Sequence, residues 1–360
     1  MALVDLFCGS GGFSLGAHRA GFDVAAAFDI DPILTSAFER NFPKTKLVLA
    51  DVSKLTAKAV RANVGDVEIE GVFGGPPCQG FSDIGRRDVD DPRRQLLGHF
   101  FRLVAELQPK FFVMENVRGL NYHDARGVLD EALLLLNGDY GLYGPIILDA
   151  ADFGAATKRR RLFVIGVHKD AGSPLTDDDL SGFKRPAASV RDALRDLTAA
   201  SLVASDIDGF DEWRINDIGP PSRYSSSLRS PTATFSGHRI VEHRPDVAAR
   251  FATVPQGGMD AVGRHPRLSW DGQCPTLRAG TGSDRGSYQA VRPLHPEVPR
   301  VITVREAARL QGFPDSHIFH PTIWHSFRMI GNSVSPVMSK AIFDAISAKL
   351  GLGVKVRLAA

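Results

Sequence analysis

From Ala2 to Val167 short apolar runs alternate with amphipathic stretches, and no other feature of the chain constrains its fold so tightly. A short run apolar on both faces suits a strand buried in a sheet, and each amphipathic stretch suits a helix covering it. Repeated, the pattern spells βα units wound around a mostly parallel sheet. Strands are expected at Ala2–Leu6, Val24–Phe28, Leu47–Ala50, Gly71–Gly74, Phe111–Glu115, Gly144–Asp149 and Arg161–Val167. Helices are expected at Phe13–Ala20, Pro32–Asn41, Gln95–Leu107 and Ala125–Asn137. The fold class that follows is α/β, a doubly wound and Rossmann-like sheet. Its ligands should sit beyond the carboxyl ends of its strands.

Near Ala171 the texture changes. As far as Pro299 the chain is rich in Gly, Pro, Ser and Arg and has few periodic segments. Trp213, Phe235, Phe251, Trp270 and Tyr288 supply core material, so this region reads as a smaller loop-rich domain and not as a linker. Periodicity returns in the helical stretches Thr303–Gln311 and Val334–Leu350, the latter able to dock back on the first sheet. The expected organisation is a first domain over 1–170, a second over 171–299, and a return segment over 300–360 that completes the first.

With 360 residues, 43% of them apolar, the chain can bury a large core. It has no apolar run long enough to cross a bilayer. Its opening, Met1-Ala2-Leu3-Val4-Asp5-Leu6, reads as a strand and not as a signal peptide. The three cysteines, Cys8, Cys78 and Cys274, form no C-x-x-C pair, which argues against a disulfide framework or a cysteine zinc site. A soluble cytoplasmic protein without a metal is expected. The net charge of +2 says little about partners, but Lys158-Arg159-Arg160-Arg161 and the group Arg86, Arg87, Arg93 and Arg94 are locally basic. Such clusters fit a phosphate-contacting face or an ordinary solvated surface.

The segment Asp5-Leu6-Phe7-Cys8-Gly9-Ser10-Gly11-Gly12-Phe13 joins an expected strand to an expected helix. Glycines there let the backbone turn sharply and approach a ligand. The spacing of Gly9, Gly11 and Gly12 is not the G-x-G-x-x-G of a dinucleotide site. Asp29, at the end of the second strand, is placed to accept hydrogen bonds from ribose hydroxyls. Asp51, ending the third, can accept from an adenine amino group. Either carboxylate can instead cap the helix that follows, the role favoured for Asp31 ahead of Pro32.

Gly74-Gly75-Pro76-Pro77-Cys78-Gln79-Gly80-Phe81-Ser82 follows the fourth strand. Its prolines fix the backbone and put Cys78 on a constrained loop among polar neighbours, the setting of a nucleophile. Cys8 and Cys274 have no such context and read as packing residues.

Pro77-Cys78-Gln79 with Glu115-Asn116-Val117 resembles the signature pair of the DNA (cytosine-5) methyltransferase family. The resemblance extends to Asp5-Leu6-Phe7 with the glycine turn, to Arg159 and Arg161, to the block Thr303–Pro314, and to Ile330-Gly331-Asn332-Ser333-Val334, all in the family's order. It implies methyl transfer from S-adenosylmethionine to carbon 5 of a cytosine swung out of duplex DNA. Carbon 5 is too weak a nucleophile unaided. A Cys78 thiolate adding to carbon 6 makes it enamine-like, while Glu115 bonds N3. Arg161 is similar to the arginine that reaches toward base and nucleophile, Arg159 braces the site, and Asn116 holds the geometry around Glu115. The implied cofactor residues are Phe7, Gly9, Gly11, Gly12, Phe13, Asp29, Ile30, Asp51, Val52, Pro77, Asn332 and Ser333. One departure stands out: where the family usually has glutamine two residues before the first arginine, this chain has Thr157.

The resemblance makes 1–170 the catalytic and cofactor domain and 171–299 the target-recognition domain. Ser82, Arg86 and Arg87 fall in the segment that corresponds to the family's mobile loop over DNA. Thr276 and Arg278, in Gln273-Cys274-Pro275-Thr276-Leu277-Arg278, and Arg285 beyond it are the candidate DNA contacts, to bases or to phosphates. The implied partners are double-stranded DNA and a cognate restriction nuclease or defence system, with the enzyme itself a monomer in the bacterial cytosol or nucleoid. A transfer-RNA methyltransferase, a catalytically dead DNA-binding relative and a nicotinamide oxidoreductase are the competing readings.

Overall fold

A computed structural model describes residues 2–77, 95–216, 219–280 and 291–352. Its contacts divide the chain into two compact units. The first comprises Met1–Asp149, Arg160–Lys184 and Met338–Ala359; the second comprises Ala150–Arg159 and Arg185–Val337. These divisions fall at different points from the 170/171 and 299/300 boundaries expected from texture.

The first unit is built on seven strands: β1 (Ala2–Leu6), β2 (Asp23–Asp29), β3 (Lys46–Leu49), β4 (Ile69–Gly74), β5 (Phe111–Asn116), β6 (Tyr140–Asp149) and β7 (Arg160–His168). They lie in the order β3-β2-β1-β4-β5-β7-β6. The five strands from β3 across to β5 run parallel, and β7 runs antiparallel to both β5 and β6. The sheet is thus the mostly parallel α/β layer that the alternating pattern demands. Its helices are α1 (Gly12–Arg19), α2 (Phe38–Asn41), α3 (Ala57–Val64), α4 (Gln95–Leu107), α5 (His123–Leu134) and α6 (Asp177–Ser181). β1, β4 and β5 are buried along their whole length, as strands covered on both faces must be.

Two expectations change in detail. The helix expected over Pro32–Asn41 shrinks to α2: ahead of it the chain runs as turns, in which the Ser36 and Phe38 amides bond three residues back, to the carbonyls of Ile33 and Thr35. Asp31 Oδ1 accepts from the amides of Ile33 and Leu34, and the Thr35 and Ser36 hydroxyls bond back to carbonyls of the same turn. β6 begins at Tyr140, not at Gly144. Its register against β7 shifts between Tyr143 and Ile146, so the irregular edge strand accommodates Pro145.

The second unit contains α7 (Val190–Leu194), a three-stranded antiparallel sheet of β8 (Ala200–Ile207), β9 (Phe210–Ile215) and β10 (Thr234–Phe235), and then α8 (Arg223–Ser226), α9 (Pro245–Ala252), α10 (Val304–Gln311) and α11 (Ile323–Asn332). All eight residues of α10 are buried, charged ones included. The Thr303 hydroxyl and Glu306 carboxylate form a capping box. Arg300 grips both oxygens of Glu306 at 2.8 and 2.9 Å. Arg309 holds Asp315 through two bonds of 2.7 Å and also reaches Asp196, while Arg305 donates to the carbonyls of Ser236, Pro314 and His317. A block so polar survives burial because Glu306 and Arg309 are ion-paired and Arg305 is hydrogen-bonded to three carbonyls.

A last helix, α12 (Pro336–Lys349), contributes its residues from Met338 onward to the first unit. There Ser339 donates to the Phe13 carbonyl, and Phe343 packs against Phe13, Phe22 and Phe73.

Candidate active site

At the end of β1 the chain must turn under β2 and enter α1. Phe7 adopts φ 66°, unusual for a side-chain-bearing residue, and Gly9 and Gly11 follow at φ 50° and 81°. The amides of Phe7 and Cys8 both reach the Phe28 carbonyl. A Cβ at Gly11 would meet Phe42 at 2.1 Å, so only glycine fits there. A Cβ at Gly9 would meet nothing within 4 Å, which leaves open space above the turn.

Asp29 fixes this turn. One carboxylate oxygen accepts from the Gly9 amide and the other from the Asp31 amide, both at 2.8 Å. Burial raises its pKa above the usual carboxylate range. The neighbouring Ile30 is 67% exposed, an apolar side chain offered at the carboxyl end of the sheet. Asp51 Oδ1 accepts the amide and hydroxyl of Ser53 and so caps a short turn, and these bonds lower its pKa. Asp31 caps in the same way. The Phe13 ring is held in an aromatic cluster, and Val52 is part of the core, so their side chains are packing elements.

Asp5 heads the glycine-turn motif but was given no role in the site. It is buried beneath the turn, accepts the Ser14 hydroxyl at 2.5 Å, and has its pKa pushed well up by burial. An acidic residue within the otherwise apolar run Leu3-Val4-Asp5-Leu6 was the available signal. Cys8 is buried with Ala27, Phe38 and Phe42, and burial raises its thiol pKa too. Cys274 is likewise buried, its pKa raised to about 12. Neither described cysteine is placed as a nucleophile.

A second cluster lies at the ends of β4, β5 and β7. Because β7 runs antiparallel, its first residues meet the last residues of β5: Glu115 pairs with Phe163 and Asn116 with Leu162. Arg161 Nε lies 2.9 Å from Glu115 Oε1, and both side chains are largely buried. Arg161 also donates to the Arg160 carbonyl. Asn116 donates to the Pro76 carbonyl and accepts from the Val117 amide, tying the β4 loop to the end of β5. A Cβ at Gly75 would come within 2.8 Å of Glu115 Oε2, so glycine leaves room for the carboxylate. The structure thus brings Glu115, Asn116 and Arg161 together beside Pro76-Pro77, the residues that lead directly to Cys78. Cys78 itself, with Ser82, Arg86, Arg87 and Arg285, lies outside the described residues.

The remaining candidates belong to the second unit. Arg159 is fully buried and donates to the carbonyls of Leu277 and Gly331 at 3.2 and 2.7 Å. Thr157 is also buried. Its hydroxyl bonds the Cys274 carbonyl, and the backbones of 156–158 and 274 pair around it. Thr276 donates to the Lys158 carbonyl, while Arg278 and Asn332 are exposed. Ser333 donates to the Met329 carbonyl at the end of α11. Among the described residues no group of three or more His, Cys, Asp or Glu could hold a metal ion, and no helix is long and apolar enough to cross a membrane.

Comparison with known proteins agrees over nearly the whole chain. Residues 1–348 match the family model for C-5 cytosine-specific DNA methylases. The Type II methyltransferase M.XorII of Xanthomonas oryzae is 42% identical over 94% of this chain and 82% of its own. M.NgoPII of Neisseria gonorrhoeae is 30% identical over 97% and 96% of the two chains. The crystal structure of a putative DNA modification methyltransferase encoded within an E. coli prophage matches with a TM-score of 0.84 and 39% identity, covering 98% of this chain and 99% of that one. This protein belongs to the C-5 cytosine-specific DNA methylase family and is a DNA (cytosine-5) methyltransferase.

Proposed function

We propose that the protein methylates carbon 5 of a cytosine extruded from a specific duplex DNA sequence, with Cys78 bonding covalently to carbon 6 during the reaction. The observation that carries the reading is the Glu115–Arg161 pair at the strand ends next to Pro76-Pro77. A protonated carboxyl group there can donate to N3 as the thiolate adds, while the guanidinium holds the other carboxyl oxygen and favours a nearby thiolate.

The residues of the first unit fit S-adenosylmethionine. Open space above Gly9, an acceptor at Asp29 for ribose hydroxyls and an exposed Ile30 for the adenine face make a suitable cradle. Asp51 can accept from the adenine amino group, and Phe7, Gly11, Gly12, Phe13, Val52 and Pro77 would contribute mainly backbone or shape. Asn332 and Ser333 complete the set by resemblance. When bound, the cofactor supplies an electrophilic methyl group.

The chemistry of the chain then balances. The thiolate of Cys78 adds to carbon 6, and the protonated Glu115 carboxyl gives its proton to N3 as charge enters the ring, taking it back on elimination. Carbon 5 would take the methyl group as the methyl's bond to the sulfonium sulfur breaks, leaving S-adenosylhomocysteine, and would later lose its proton to water. The Cys78–C6 bond breaks and returns the thiolate. Arg161 orients Glu115 throughout, and Arg159 and Asn116 hold the supporting backbone. Thr276, Arg278 and Arg285 would contact the DNA from the recognition domain, and Ser82, Arg86 and Arg87 from the segment that follows Cys78 in the sequence. Homology to Type II methyltransferases favours a role marking self DNA in the bacterial cytosol against a restriction nuclease or defence system.

Labelled S-adenosylmethionine offered with either duplex DNA or transfer RNA tests the substrate. Label is expected in DNA alone, as 5-methylcytosine at one sequence, and lost in Cys78→Ser. Label confined to transfer RNA, or undiminished in that variant, would overturn the reading.

A further inference from the structure

We propose that Arg159 and Gly331 form a joint through which the recognition element 274–280 and the turn 330–333 share one backbone arrangement, so that DNA and cofactor bind with linked free energies. The inference rests on the reading that Thr276 and Arg278 face DNA and that Asn332 and Ser333 face the cofactor.

The last carbonyls of α11 have no partner within the helix and carry the negative end of its dipole. Two buried side chains meet them. Arg159 donates to the Gly331 carbonyl, and Gln311 donates to the carbonyls of Ile330 and Ser333. The other arm of the same guanidinium holds the Leu277 carbonyl. One rigid, planar cation therefore spans both segments, and a lysine cannot reproduce that fork.

The second observation is independent of any hydrogen bond. A Cβ on Gly331 would stand 2.3 Å from the Ala279 nitrogen and 2.5 Å from the Arg278 carbonyl carbon. The backbone after Thr276 thus passes directly over the helix end. Upstream, the same element is fixed by the Cys274 and Lys158 amides and by the Thr276 hydroxyl. Neither segment can shift without moving the other. A ligand that orders one lowers the ordering cost of the other, and such linkage is reciprocal.

Hydrogen exchange of the wild-type protein gives the first test. S-adenosylhomocysteine alone should slow exchange of the Leu277, Arg278, Ala279 and Gly280 amides, and a duplex carrying the mapped target should slow exchange over 330–333. Protection that stays with the ligand's own segment in both experiments would overturn the proposal. A binding cycle gives the second. The target duplex should tighten S-adenosylhomocysteine binding by about tenfold in the wild type, within the usual span of such couplings. In Gly331→Ala and Arg159→Lys that ratio should fall toward one. A ratio kept in folded variants sinks the joint and leaves the methylation reading intact; absence of DNA methylation by the wild type sinks both.

Discussion

Arg161 Nε stands 2.9 Å from Oε1 of Glu115, and the antiparallel pairing of β7 with β5 is what brings them together. A parallel β7 would put Arg161 at the opposite end of the strands. The pairing sets the Glu115 carboxylate beside Gly75 and Pro76, and it makes the first prediction specific. Glu115→Gln keeps the shape but removes both the charge and the proton exchange, and should lower kcat by about 100-fold to 10,000-fold. Single-turnover methylation measures this; a change below about threefold would remove Glu115 from the chemistry.

Asn116 makes two bonds that Asp can separate. Asn116→Asp keeps an acceptor for the Val117 amide but loses the donor to the Pro76 carbonyl. If the Pro76 bond positions the loop, Asn116→Asp and Asn116→Ala should lower kcat alike with KM for DNA little changed. The stability loss should be about 1 kcal/mol, the size of one hydrogen bond. Full activity in the Asp variant would show that the loop does not depend on this bond.

Asp29→Ala should weaken cofactor binding and loosen the glycine turn, since its carboxylate holds the Gly9 amide. An increase in Kd of about tenfold, near 1.4 kcal/mol, is expected by calorimetry with S-adenosylhomocysteine. An unchanged Kd would mean that the turn holds its shape without this carboxylate and that the cofactor does not use it.

Arg309→Met leaves Asp196 and Asp315 buried with their shared cation gone. Loss of about 3–5 kcal/mol is expected, as for other broken buried pairs. Denaturant unfolding followed by the fluorescence of Trp213 and Trp270 measures it, and a loss below about 1 kcal/mol would show that the network is not a main support of the unit.

Acid should destabilise the second unit in a defined window. His295 is buried, its pKa is lowered from 6.5 to about 4, and its Nδ1 accepts the amides of Glu297 and Val298. His238, also buried, shifts the same way. Between those two values the unfolded chain binds a proton that folded His295 does not. Stability is therefore fully present above the window, falls as pH drops through it, and is not lost further below it. The His295 contribution is at most about 3 kcal/mol. Denaturation midpoints across this range should fall on acidification, and His295→Gln should flatten the slope; an unchanged slope would assign the acid sensitivity elsewhere.

Much of the fold was legible because burial imposes short periods on the sequence. β1 and α4 occur at the expected bounds, and the cysteines read as packing residues, Cys8 and Cys274, are buried. The short α2 was not legible, because the tightening to three-residue bonds at Ser36 and Phe38 lies in the backbone, which side-chain periodicity does not register. α3 and α11 were not named as helices either. Asp5 heads its motif but was given no role, because nothing along the chain shows that its carboxyl is buried against Ser14.

The amino-acid sequence alone determined the class of sheet, the glycine turn and the motif blocks that mark the family, since these depend on local pattern and residue type. Tertiary structure decided which distant residues meet. It set Glu115 against Arg161, gave Arg159 the carbonyls of Leu277 and Gly331, and paired Glu306 with Arg300 and Arg309 with Asp315. The physical reason is that ion pairs and carbonyl contacts depend on strand direction and chain crossing, which no spacing along the chain encodes.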